Sequence, residues 1–111
     1  MGLLDKLGRK PRPGTLRGTA DGDEAHLSAF ATTHLGVEGF VEPQTNTTAT
    51  TLVLVAGDGE WTRRRIASPK AGFDLGRKLA IPVYDVAATG YPNRMREWTA
   101  ARKAAGEPRA Q

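Results

Sequence analysis

The stretch Leu52-Val53-Leu54-Val55-Ala56-Gly57-Asp58-Gly59-Glu60-Trp61-Thr62-Arg63-Arg64-Arg65-Ile66 leaves this chain few folds to choose from. An unbroken apolar run rich in Val and Leu, followed by Asp-Gly and then by a second run of strand-compatible residues, is a strong short-range signal for a β-hairpin. With Asp58-Gly59 at the two central turn positions, Ala56 pairs with Trp61, Leu54 with Arg63, Val53 with Arg64 and Leu52 with Arg65. On that register one face carries Leu52, Leu54, Trp61, Arg63 and Arg65, and Arg64 lies with Val53, Val55 and Ile66. The second strand is apolar on both faces, which places it in the middle of a sheet.

The rest of the chain supplies partners for that hairpin. Residues 1–20 combine Leu3, Leu4 and Leu7 with Lys6, Arg9 and Lys10, then break at Pro11, Pro13, Gly14 and Gly18, which reads as a flexible basic leader and linker. From Asp21 to Leu35 the spacing of Leu27, Phe30, Ala31 and His34 predicts a helix before Gly36. Val37 to Glu42 alternates and stops at Pro43, predicting a first strand with one wet face. Ser68-Pro69 is a helix start, Ser as N-cap and Pro at the first position, with Gly72, Leu75, Gly76 and Leu79 on one face. Ile81 to Val86 reads as a fourth strand with Pro82 at an edge, parallel to the third where the two share a sheet. After Gly90-Tyr91-Pro92-Asn93, Met95, Trp98, Ala101 or Arg102, and Ala105 trace a last amphipathic helix, with Trp98 expected as a core anchor and Trp61 as partly buried. The expected architecture is therefore a single α/β domain (α+β) over residues 21–105, ordered α-β-β-β-α-β-α: an antiparallel meander plus a fourth strand, with a flexible tail at 106–111.

Composition bounds the chemistry. The 111 residues contain no Cys, so disulfides, redox thiols and Cys-based zinc sites are excluded, and only His26 and His34 offer imidazoles. Those two lie eight apart, beyond the i, i+4 spacing that a helical metal pair prefers. No apolar stretch approaches the ~20 residues of a membrane span, so the expected location is the cytoplasm. The net charge of +4 is segregated. Residues 21–59 hold six acids and no Lys or Arg, whereas residues 60–111 hold eleven bases against five acids. A clustered positive field attracts phosphates, an acidic lipid surface or an acidic protein.

Catalytic motifs are thin. Gly57-Asp58-Gly59 is followed by a strand rather than a helix, so it is no dinucleotide loop, and a Walker Gly-Lys-Ser/Thr ending is missing. Asp58 and Glu60 sit at a wet hairpin tip with no apolar pocket to raise a pKa. No catalytic residue, cofactor or metal is expected. Tyr84, Asp85, Tyr91 and Arg94 cluster around the end of the fourth strand, where open α/β sheets often take a ligand.

Two resemblances accompany these residues. Asp58-Gly-Glu-Trp-Thr-Arg-Arg-Arg-Ile, Ile81-Pro-Val-Tyr-Asp-Val and Gly90-Tyr-Pro-Asn-Arg-Met-Arg together resemble a family of small uncharacterised actinobacterial proteins, some of which are labelled oxidoreductase. That likeness spans most of residues 25–104 and implies no mechanism. The α-β-β-β-α order, with a last helix opening Ser68-Pro-Lys70, looks like double-stranded RNA-binding domains, which implies a basic helix start set on phosphates. The expectation from residues and resemblance together is a non-catalytic basic module that contacts RNA or another polyanion through Trp61, Arg63, Arg65, Lys70, Arg94 and Arg96. The alternative is a protein-protein adaptor for an acidic partner near a membrane surface, with weak membrane contact through residues 1–10.

Overall fold

The computed structural model describes residues 21–106; the leader, on which the expected membrane contact falls, and the tail beyond Gly106 lie outside the described residues. Helix α1 (Asp21–Thr33) leads into strands β1 (Glu38–Glu42), β2 (Thr51–Val55) and β3 (Trp61–Arg65). Helix α2 (Pro69–Leu79), strand β4 (Val83–Asp85), a one-turn helix α3 (Val86–Thr89) and helix α4 (Asn93–Ala104) follow. The four strands form one mixed sheet in the order β3-β2-β1-β4. The expected α+β architecture is present, with three strands in an antiparallel meander and helices on the sheet.

The hairpin register differs from the two-residue expectation. Gly59 donates its N–H to the Ala56 carbonyl at 2.9 Å, and Ala56 donates to the Glu60 carbonyl at 2.8 Å, so three residues form the loop. Gly59 takes φ +98°, the left-handed residue that such a loop needs after its type I turn. Asp58 completes the turn by accepting the Glu60 N–H at 2.9 Å. Val55 therefore pairs with Trp61, Val53 with Arg63, and Leu52 with Arg64. One residue of slip moves every side chain to the opposite face. Trp61, Arg63 and Arg65 lie with Val53 and Val55, while Arg64 lies with Leu52 and Leu54.

Both faces of the sheet are covered, which is why β2 is apolar throughout. On one side Leu27 and Phe30 of α1 and Leu75 of α2 pack with Val41, Leu52, Leu54 and Ile66. On the other, Met95 of α4 packs with Phe40, Val53 and Val55, joined by the half-buried Trp61 and Val86. Met95 is the one buried residue of α4. Trp98, expected as an anchor, is half-buried, because α4 meets the sheet over its first turn and leaves its later turns at the rim.

Close backbone approach explains the two glycines on the packed side of α2. A Cβ on Gly72 would meet Ile66 Cδ1 and Val41 Cγ2 at 2.9 Å, and one on Gly76 would meet Val83 Cγ2 at 2.3 Å. The propensity lost at each glycine, about 1 kcal/mol, is offset by this contact between helix and sheet. Ser68 caps α2 as its sequence indicates, its hydroxyl accepting the Ala71 N–H at 3.1 Å. At the other end Ile81 N–H reaches the Gly76 carbonyl at 3.0 Å and Ala80 N–H reaches Arg77 at 3.2 Å, a Schellman closure. The residue in the left-handed position is Ala80, φ 59°, where glycine is usual. Ala80→Gly is accordingly expected to stabilise the domain by about 1 kcal/mol, read as a melting temperature higher by roughly 4–8 °C.

The fourth strand is shorter than expected, and its neighbour is β1. Val83–Asp85 lies parallel to β1, at the sheet edge remote from β3, with the Pro82 carbonyl accepting the Gly39 N–H at 2.8 Å. It runs parallel to β3 in direction but does not touch it, because α2 carries the chain across the width of the sheet. Asp85 ends the strand by accepting the Ala87 N–H at 2.9 Å, which starts α3, a helix unforeseen in the sequence.

Candidate functional site

The face shared by β3, β1 and the last helix gathers most of the residues singled out in the sequence. Alternation along β3 puts Trp61, Arg63 and Arg65 in one row. The Arg63 guanidinium stands 5.2 Å from the Trp61 ring centroid, and on α4 the Arg102 guanidinium stands 4.9 Å from the Trp98 centroid. The two units are tied together where Trp61 Nε1 donates to Thr99 Oγ1 at 2.8 Å. Two guanidinium-on-indole stacks thus sit side by side, with exposed Arg65 at one end of the row and exposed Lys103 beside Arg102. The sequence reading missed Trp98 and Arg102 as members of this surface, although their one-turn spacing was visible.

The same face shows which arginines are occupied. Arg63 Nε and Nη2 bind Glu42 Oε1 and Oε2 at 2.8 and 2.9 Å, a bidentate fork. Glu42 also accepts the Thr51 hydroxyl at 2.5 Å and the Tyr91 hydroxyl. Burial works against the Glu42 charge, but the hydrogen bonds from Arg63, Thr51 and Tyr91 and the Arg63 charge hold its carboxyl below the ordinary range. The same contact raises the Arg63 pKa, and burial followed by the Glu42 hydrogen bond raises that of Tyr91. Arg94 donates to the Ala56 carbonyl at 2.8 Å and to Glu38 Oε1 at 2.8 Å, fastening α4 to the sheet. The face of β1 expected to be wet is thus where its two glutamates take structural partners. Among the described residues Arg96 reaches only Asn93, within its own helix. Lys70 pairs with Asp74 at 2.8 Å on α2, across the sheet from the Trp61 row. Arg65 has no hydrogen-bond or ion-pair partner among the described residues.

Arg64 serves the opposite face and the strand edge. Its Nη1 donates to the Arg63 carbonyl at 2.8 Å, and its Nη2 lies 3.4 Å from His26 Nδ1. The hydrogen bonds at both ends of the hairpin, with alternation between them, turn the backbone groups of Trp61, Arg63 and Arg65 outward. A guanidinium over one of those carbonyls blunts the edge against pairing with another strand. His26 Nε2 meets the buried Thr62 hydroxyl at 2.7 Å, and burial, then the Arg64 charge, lowers the imidazole pKa.

Tyr84 and Tyr91 line a second feature, a cleft of about 240 Å³ floored by Phe40 and bordered by Glu38 and Pro92. Asp85, grouped with the tyrosines in the sequence, is instead the cap of α3. A further cleft of about 310 Å³ lies between α1 and α2, with Ile66 and Leu75 in its lining and Glu24, Arg65, Asp74 and Lys78 around it. Among the described residues no group of three or more His, Asp or Glu is arranged to hold a metal ion. No helix among them is long and apolar enough to cross a membrane.

The Glu42 cluster gives stability a defined acid limit. A carboxyl held below its unfolded pKa of 4.5 contributes stability that is present above that pH and lost as pH falls through the lowered folded value. Thermal melts from neutral to acid pH are expected to show Glu42→Gln less stable than the parent near neutrality, with the gap closing below pH 4.5. A gap that persists unchanged into acid would mean that the charge does not matter.

Comparison of the chain with family models, with curated proteins and with solved structures returned no match.

Proposed function

We propose that this domain is a basic binding module for RNA or a similar polyanion, and that the strand is held across the β3–α4 face. The observation that carries the reading is the pair of guanidinium-on-indole stacks, Arg63 on Trp61 and Arg102 on Trp98, flanked by Arg65 and Lys103. Single-stranded nucleic acid is recognised by this combination: bases stack on aromatic rings and guanidinium planes, and phosphates meet flanking cations. Arg63 and Arg94 hold the platform together through Glu42 and Glu38, while Arg65 and Lys103 contact phosphate. Lys70 lies on the opposite side of the sheet and is not part of this surface. The acidic segment 21–59 pairs inward with these arginines, and the basic excess of the later half is left for the ligand.

The test separates platform from phosphate contacts. Binding of a fluorescent uridine-rich RNA is measured over a range of salt for the parent, Arg65→Ala/Lys103→Ala and Arg63→Ala, with melting curves alongside. Losing two phosphate contacts flattens the log-log salt slope by about 1.4, at ~0.7 per contact for a single strand, with melting unchanged for the double variant. Arg63→Ala is expected to lower stability by about 1–3 kcal/mol, since it strips charged hydrogen bonds from Glu42. A salt slope unchanged in the double variant would reject the reading.

A further inference from the structure

We infer that the cleft between Tyr84 and Tyr91 is a slot for a single nucleobase, and that the base it fits is guanine. This rests on the nucleic-acid reading for the class of ligand and adds a base-specific site to it. Only three large apolar side chains among the described residues are exposed, and two of them, Tyr84 at 38% and Tyr91 at 37%, line this one cleft. Its volume of about 240 Å³ lies below the ~300–1,000 Å³ of drug-sized sites, the scale of one planar ring system rather than a whole dinucleotide. Tyr84 leans on buried Phe40, ring centroids 5.6 Å apart at 35°. The Tyr91 hydroxyl is held by Glu42, so this part of the lining is set before any ligand arrives. Pro92 adds apolar surface beside it.

The choice among bases comes from Glu38. Glu38 borders the cleft, and Arg94 Nη2 fixes its carboxylate at 2.8 Å on Oε1. A carboxylate offers about four lone-pair sites, so this bond leaves acceptors unused. Guanine presents N1–H and N2–H side by side, two donors that one carboxylate accepts together. Adenine and cytosine place a ring acceptor next to their amino group, and uracil flanks its one N–H with carbonyls, so each sets an oxygen or ring nitrogen against the carboxylate. The cleft also adjoins the Trp61 row, because Glu42 binds both Tyr91 and Arg63. A strand lying on that row therefore has a base within reach of the slot.

The experiment titrates the full chain with guanosine, guanosine monophosphate, adenosine, cytidine and uridine, read by isothermal titration calorimetry. Guanosine is expected to bind roughly tenfold or more tightly than the other nucleosides, the discrimination a bidentate contact provides. Its monophosphate is expected to bind with similar affinity, since base rather than phosphate fills the slot. Tyr84→Ala is expected to abolish guanosine binding in a domain that still folds, with melting lowered only by the lost contact with Phe40; Glu38→Gln, which keeps an acceptor for Arg94, is expected to erase the preference for guanine. Equal binding of all nucleosides, no saturable binding, unchanged binding by Tyr84→Ala, or saturation by a polyproline peptide instead of guanosine would each overturn the assignment. If uridine-rich RNA binds with the expected salt slope while guanosine does not bind, the slot alone fails. If guanosine binds and the RNA does not, the polyanion reading fails and the slot stands.

Discussion

Replacing Gly59 by alanine is expected to cost the domain roughly 3 kcal/mol or more, from two additive causes. The residue holds φ +98°, where a side chain costs about 1–2 kcal/mol. A Cβ there would also stand 2.2 Å from the Arg94 carbonyl oxygen and 2.8 Å from Trp98 Cβ. Neither neighbour is the loose end of a flexible chain, so the first turn of α4 has to lift, and overpacking of this kind adds about 1–3 kcal/mol. At roughly 4–8 °C per kcal/mol for a domain of this size, the melting temperature should fall by more than ten degrees. Because α4 carries Trp98 and Arg102, the proposed RNA binding should weaken in the folded variant as well. A variant that melts like the parent would show that the hairpin tip does not seat the helix.

Leu54→Ala should be of similar severity for a different reason. Leu54 is fully buried on the α1/α2 side of β2, and removing it leaves a cavity bounded by rigid strand neighbours. Buried Leu→Ala changes cost about 2–5 kcal/mol, a loss large enough to unfold a marginal domain of this length at physiological temperature. Val53→Ala, on the opposite face, tests whether both faces are core. Each buried CH₂ is worth about 0.8 kcal/mol, so the loss should be clear but smaller. Val53→Ala without effect would mean that α4 does not close the second face.

The elements were legible in the sequence wherever one local device determined them. Ser68-Pro69 announced the start of α2, and the Val/Leu run announced an interior strand. What escaped was decided by contacts remote in sequence. Asp58-Gly59 fits a two-residue turn as well as the last two residues of a three-residue loop, and only the seating of Gly59 against α4 selects the latter. That single slip exchanged the face partners of Trp61, Arg63 and Arg65, yet kept the three together because alternation within a strand does not depend on register. The partner strand of β4 was equally out of reach, since nothing local tells a chain leaving α2 which sheet edge it will join. Of the candidate site, the Trp61–Arg65 row and the two tyrosines were visible as residues. Their pairing with Glu42 and Glu38 was not, because the charge segregation that pointed to a free basic surface is partly consumed in folding.

The proposed binding face is tested most directly by ¹H–¹⁵N correlation spectra of the full chain during titration with a uridine-rich RNA at low salt. The predicted result is movement of the Trp61 and Trp98 indole N–H signals and of the backbone signals of Trp61–Arg65 and of the later turns of α4. The exposed side of α2 around Lys70 and Arg77 should stay still. Shifts centred on Lys70 and Arg77 with both indoles unmoved, or no shifts at any RNA concentration, would contradict it.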